Sequence, residues 1–167
     1  RDSELENKEE VIKAVAVAAL KYSMLKVGAS QDMAFDMEES VSTSGDSGPY
    51  LLYIVARIKS ILSKIEEGSD GVDLSSISGI SSQEKKLLLT LSSFPEATQQ
   101  AVVEYDPSHI ARYVYGLAQD FNAFYAHCPV VGAESDVQAF RINLISAVEQ
   151  VMVKGLHLLG IETVDQM

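Results

Sequence analysis

Apolar residues in this chain recur every three or four positions far more often than every second one, and that spacing predicts helices rather than strands. The run from Leu5 to Lys26, which contains VIKAVAVAALKYSML, predicts a first helix. Its many small residues predict close packing on several sides. Val27 to Gly48 is mostly irregular, with a short helical turn over DMEESV (Asp36 to Val41) and a break at GDSG (Gly45 to Gly48). Pro49 suits the first position of a second helix, which the pattern carries to about Glu66. Glu67 to Ser82 is a Gly/Ser loop. Ser81 and Glu84 form a capping box for a third helix, Gln83 to Ser93. Pro95 opens a fourth helix ending near Tyr105, and Asp106 with Pro107 starts a fifth that reaches Cys128. After the loop CPVVGAES, a long sixth helix runs from about Glu134 to Leu158. Gly160 stands where a left-handed C-cap belongs, with Ile161 placed for the accompanying apolar contact. The whole predicts an all-α bundle of about five or six helices.

At 100° per residue, Leu51, Ile54, Val55, Ile58, Ile61, Leu62 and Ile65 share one face of the second helix. Tyr50, Tyr53, Arg57, Ser60 and Lys64 form another stripe, roughly 120° around it. The pattern leaves two readings open for these tyrosines. They fill a gap between helices with their hydroxyls to solvent, which pattern alone favours, or they face a ligand. In the fifth helix Ile110, Val114, Leu117, Phe121, Phe124 and Cys128 form the core stripe, with Asn122 and Tyr125 on its flank. Cys128 is therefore expected to be a buried apolar residue, not a nucleophile. The sixth helix is expected to bury Val137, Phe140, Leu144, Val148, Val151 and Leu158, with Gly155 admitting a close neighbour.

The chain has 167 residues and 47% hydrophobic content, enough for one domain with a core. A single cysteine excludes an internal disulfide and fits a reducing compartment. No apolar run is long enough for a membrane span. The net charge of −11 argues against nonspecific nucleic-acid binding, so any RNA partner must be met by a local patch. Catalytic chemistry is not evident. His109, His127 and His157 have no partners at metal-ligand spacing, and His157 suits the negative end of a helix dipole. There is no phosphate loop and no nucleophile beside a base. The pairs Glu38–Glu39 and Glu66–Glu67 are adjacent, so they do not face each other on a helix and read as solvated surface.

GDSGPYLLYIVARIKSIL resembles the G-x-x-x-PYLxYxxARxxSI pattern of the C-terminal anticodon-binding (DALR) domain of class I arginyl-tRNA synthetases. Upstream, AVAALKYSMLK is similar to that family's helix ending in LKY, and AFDMEESVS to its FD-containing connector. Downstream, YVYGLAQDFNAFYAHCPVVGAE is similar to its LAxxFNxFYxxCPV-GAE stretch. RINLISAVEQVMVKGLHLLGIETVDQM is similar to its terminal helix and LLGI ending. Glu67 to Pro95 is the least diagnostic part. The resemblance implies one helical domain over 1–167, cut from a ligase that joins arginine to tRNA(Arg) with ATP. The HIGH-like and KMSKS-like catalytic motifs are absent; HIAR at His109 to Arg112 lacks the glycine. The segment alone is therefore expected to be inactive and to carry no cofactor, ATP belonging with the catalytic domain. The acidic lead RDSELENKEE reads as the edge of an excised domain and Met167 as the natural C-terminus. The implied location is the cytoplasm, with an organellar form left open.

The resemblance also implies roles. Tyr50, Tyr53 and Arg57 match motif positions of the anticodon-loop region, and Tyr125 matches another, with Asn122 beside it. The tail ending at Met167 is near the anticodon in that family. Some members place a further aromatic a turn beyond the Tyr125 position, where this chain has Pro129. For Arg57, a phosphate contact and an internal ion pair stay equally open, and Tyr125 is open between packing and recognition. Lys59 and Lys64 read as surface charge. The expected partners are the tRNA(Arg) anticodon stem-loop and the catalytic domain of the same chain, with no membrane. The alternative is a helical protein-interaction module derived from a synthetase domain, its aromatic face docking a protein.

Overall fold

A computed structural model describes residues 8–64, 79–130 and 132–167. Among them are seven α-helices and no strand: α1 (Lys8–Leu25), α2 (Met37–Val41), α3 (Gly48–Leu62), α4 (Ser82–Ser92), α5 (Phe94–Glu104), α6 (Ser108–His127) and α7 (Ser135–Leu158). These are the six predicted helices and the predicted short turn. Isoleucine 65 and the predicted loop after it lie largely outside the described residues, as does the pair Glu66–Glu67.

The termini follow from local chemistry. The Ser47 side chain accepts the Tyr50 amide at the start of α3, and Pro49 occupies its first turn. The helix stops at Leu62, four residues before the expected end, with the Lys64 amide bonding back to the Ile61 carbonyl in a tightened last turn. The capping box of α4 is present in both halves. Ser81 Oγ accepts from the Glu84 amide at 3.1 Å, and the Glu84 carboxylate accepts from the Ser81 amide at 2.6 Å. Past α7, Gly160 has φ +68°; its amide bonds to the His157 carbonyl and that of Ile161 to Leu156, with Ile161 buried. That is the Schellman arrangement the sequence predicted.

Helix α3 packs on α1, α2, α6 and α7. It therefore buries Leu52 and Ala56 as well as the predicted Leu51, Ile54, Val55 and Ile58. Its start lies against the backbone of α1: a Cβ added at Gly48 would come within 2.2 Å of the Ala18 carbonyl oxygen. Tyr22, fully buried, donates its hydroxyl to Asp46 at 2.6 Å and lies 3.2 Å from the Ala111 carbonyl of α6. Burial and the Asp46 carboxylate both push the Tyr22 phenol above its ordinary range, so it stays a donor. Lys26 bonds the Asp46 carbonyl and pairs with Glu39 of α2, each at 2.8 Å. These contacts fix the turn from which α3 departs. They also make Glu39 a tether, where its sequence position suggested only solvated surface.

Two expectations are corrected. The first helix meets α2, α3 and α6 through one face, burying Ala18, Ala19, Tyr22 and Ser23, and leaves Ile12, Leu20 and Met24 exposed on the other. Leu158 is 55% exposed, not core; Ile145, Met152 and Leu156 are buried instead. The predicted positions 137, 144, 151 and 158 repeat every seven residues, and a straight α-helix drifts by about 20° per heptad. By Leu158 the strict repeat has rotated out of the core. Gly155 does admit a neighbour, for its missing Cβ would sit 2.5 Å from Val114 Cγ2 of α6.

Two stability outcomes follow. Gly48→Ala forces α1 and α3 apart and should cost about 1–3 kcal/mol, seen as a lower denaturation midpoint with helicity retained. Glu84 is 3% exposed, and Arg141 of α7 donates to its carboxylate at 2.7 Å. Burial raises the Glu84 pKa, but the Ser81 hydrogen bonds and Arg141 outweigh it, leaving the group below its ordinary value. Its stabilisation is thus complete above the unfolded value of about 4.3 and is lost as pH falls through the lower folded value. Glu84→Gln should be less stable by about 1–3 kcal/mol at pH 7. In thermal melts the gap from the parent chain should close below about pH 4.

Candidate functional site

The Ser47 cap and the Gly48 contact set the rotation of α3, and that rotation turns its tyrosine stripe toward α6. Four of the predicted residues converge there. Asn122 Nδ2 donates to the Tyr50 hydroxyl at 2.8 Å, and Arg57 donates to Asn122 Oδ1 at 3.4 Å. The Arg57 guanidinium carbon lies 4.7 Å from the centre of the Tyr125 ring, within cation–π range. Tyr125 is in turn tilted against buried Phe121, ring centres 5.9 Å apart.

Tyr50 is half-buried and Tyr53, one turn on, is 43% exposed, so neither ring is sealed in the bundle. Burial pushes the Tyr50 phenol above its ordinary range, while the Asn122 hydrogen bond and Arg57 pull against it without cancelling it. The phenol is therefore neutral and protonated at neutral pH.

Arg57 makes no ion pair among the described residues. Its partners are an amide and an aromatic ring, both neutral, which removes the internal ion pair left open by the sequence. Its charge is held in place but not neutralised. Helix α3 has no carboxylate from Gly48 to Lys64, while Arg57, Lys59 and Lys64 are cationic. Asp120 of α6 is engaged on another side, with Lys86 and Thr90 of α4. A chain of net charge −11 thus keeps one helix face free of acids.

Met167 is exposed and makes no hydrogen bond, ion pair or ring contact with this cluster. Its tail is anchored by Lys21, which donates to the Gly160 carbonyl, and by Lys59, whose ammonium lies 2.6 Å from Asp165. On the helix Lys59 is about 160° from Arg57. Lys59 is therefore a tail anchor and not merely surface charge. Lys64 is exposed, as expected.

One contributor escaped the sequence reading. Tyr115 of α6 meets Tyr50 edge-on, ring centres 6.1 Å apart at 65°. It precedes Asn122 by seven residues and so shares the flank of Asn122 and Tyr125, a spacing that would have revealed it. Cys128 is buried, as expected, and its sulfur also lies within hydrogen-bonding distance of Ser81 Oγ, at 3.3 Å. No group of three potential ligands could hold a metal among the described residues, and no described helix is long and apolar enough to cross a membrane. A depression of ≈ 600 Å³ between Phe94, Val153, His157 and Ile161 shares no residue with the cluster.

The arrangement offers an exposed ring, a half-exposed ring with a fixed hydroxyl, and an unneutralised guanidinium on a rigid helix pair. Such a face has the chemistry to stack planar groups and to bind anions.

Comparison with known proteins identifies the family of the chain. The family model described as the DALR anticodon binding domain matches residues 51–167. An arginine–tRNA ligase of Clostridium beijerinckii is 39% identical over 168 residues, covering 100% of this chain and 30% of that protein. One from Pyrococcus furiosus is also 39% identical, covering 97% of this chain and 27% of its own length. The arginyl-tRNA synthetase of Thermus thermophilus superposes with a TM-score of 0.92 at 33% identity, over 99% of this chain and 29% of that one. The Plasmodium falciparum enzyme, at 23% identity and TM-score 0.88, supports the fold alone. The chain thus spans about 30% of the length of these relatives. From a family model that covers most of its length, and from helices that superpose throughout, the chain belongs to the DALR anticodon-binding domain family.

Proposed function

We propose that this chain is the anticodon-reading domain of an arginine–tRNA ligase. It would hold the anticodon loop of tRNA(Arg) on the α3–α6 face while the rest of the enzyme binds ATP and arginine. The observation that carries this reading is the convergence of Tyr50, Arg57, Asn122 and Tyr125, with Tyr53 exposed beside them, on an acid-free helix.

An anticodon loop presents unpaired bases that can stack on aromatic rings and be read at their edges. Tyr53 supplies the open ring. The Arg57 guanidinium, stacked on Tyr125, suits a phosphate or a base edge. The net charge of −11 predicts weak binding by the 167 residues alone, with long-range attraction of the tRNA supplied elsewhere in the ligase. In this reading residues 1–167 act as one domain whose partners are tRNA(Arg) and the catalytic part of the same polypeptide. Met167 would meet the RNA from the C-terminal tail, which Lys59 ties to α3 through Asp165.

The test is a titration of the chain with a tRNA(Arg) anticodon stem-loop and with a loop of another anticodon, followed by fluorescence anisotropy. Tyr53→Ala should weaken binding of the cognate loop by about 1–3 kcal/mol and leave the melting temperature unchanged. Tyr50→Ala should lower both, because its ring and hydroxyl also pack against α6. Equal binding of both loops, or a Tyr53→Ala variant that binds as the parent does, would sink the reading. Retained binding of a protein partner by both variants would instead exclude the aromatic face as a protein-docking surface.

A further inference from the structure

We infer, resting on the anticodon-loop reading above, that Asn122 is a positioning residue: it commits the Tyr50 hydroxyl to donating, so the RNA group it meets is a hydrogen-bond acceptor.

A guanidinium can only donate. Arg57, braced on the Tyr125 ring, lies 3.4 Å from one end of the Asn122 amide, and that end must be the oxygen. The reverse orientation would set two donors against each other. The nitrogen end then faces the Tyr50 hydroxyl at 2.8 Å and donates to its oxygen. A phenol has one proton, and it is not used toward Asn122. The nearest aromatic neighbour, Tyr115, meets Tyr50 ring to ring, and its own hydroxyl accepts from Gln119 at 3.0 Å. Among the described residues no acceptor takes the Tyr50 proton.

The chain Arg57→Asn122→Tyr50 therefore ends in a free O–H. It donates to a base carbonyl, a ring nitrogen or a phosphate oxygen. An exocyclic amino group is disfavoured there, because it would meet the proton while Asn122 already occupies the accepting side of the oxygen. The selectivity comes from Asn122, although Asn122 itself need not touch the RNA.

The test uses the 167-residue chain and the tRNA(Arg) anticodon stem-loop in a double-mutant cycle. Tyr50→Phe removes the proton. Asn122→Asp keeps an acceptor for Arg57 but presents a second acceptor to Tyr50, which draws the proton inward. Each should weaken binding about tenfold. In the Tyr50→Phe background, Asn122→Asp should cost no more than about twofold, because the proton it diverts is already gone. A full loss in both backgrounds would mean that the new carboxylate acts by neutralising Arg57 or by repelling the RNA, not through the Tyr50 proton, and the inference is overturned.

A second readout needs no RNA. The Asn122 side-chain amide resonances should move in Tyr50→Phe; unmoved resonances overturn the inference at its first step. Moved resonances together with stem-loop binding indifferent to Tyr50 and Tyr53 would overturn the anticodon reading, and the RNA half of the inference with it, while leaving the donor chain in place.

Discussion

The close approach of α3 to the backbone of α1 at Gly48 governs the rest of the structure. With no Cβ at that position the first turn of α3 lies directly on the Ala18 carbonyl, a distance no other residue could reach. The small residues Ala18 and Ala19 make the matching surface. The Tyr22–Asp46–Lys26 contacts then hold the turn that feeds α3, so both its position and its rotation are set at one end. Each remaining residue of α3 is assigned a neighbour by that rotation. Leu52 and Ala56 are buried alongside the inner core of Leu51, Ile54 and Ile58, Tyr50 and Arg57 face α6, and Tyr53 faces solvent.

The same geometry separates stability from recognition. The core of α3 and α6 is apolar and closed, and the polar network lies at its rim, where its members bond one another. Arg57 is immobilised by neutral groups, so ordering the side chain does not neutralise it. An ion pair would have held it equally still but removed the charge a phosphate needs. Ion pairs among the described residues lie elsewhere, Arg141 with Glu84 between α7 and α4 and Lys86 with Asp120 between α4 and α6 among them. Charge is spent on structure away from the face and left open on it.

Much of the fold was legible because its signals are local. Ser81 and Glu84, Pro49, Gly160 and Ile161 each satisfy backbone groups within one turn, and all stand where the sequence places them. The failures have geometric causes. An Ala-rich helix looks the same whether neighbours surround it or touch one face, so the exposure of Leu20 and Met24 could not be read. The seven-residue repeat through Leu158 ignored the drift of a straight helix. Of the site, Tyr50, Arg57, Asn122 and Tyr125 were each visible as off-core residues, but only their motif context suggested that they belong together.

By itself the sequence determined the all-α class, the caps and breaks of the helices, the separate apolar and aromatic stripes of α3, and the family. These depend on spacing within one element, and an α-helix converts spacing to angle by a fixed rule. Only the tertiary structure decided that Asn122 bridges Arg57 and Tyr50 across 65 and 72 residues, and that the Arg57 guanidinium lies against the Tyr125 ring. Those facts depend on the relative rotation of two helices, fixed by the contact at a single glycine, and no periodicity within either helix encodes it.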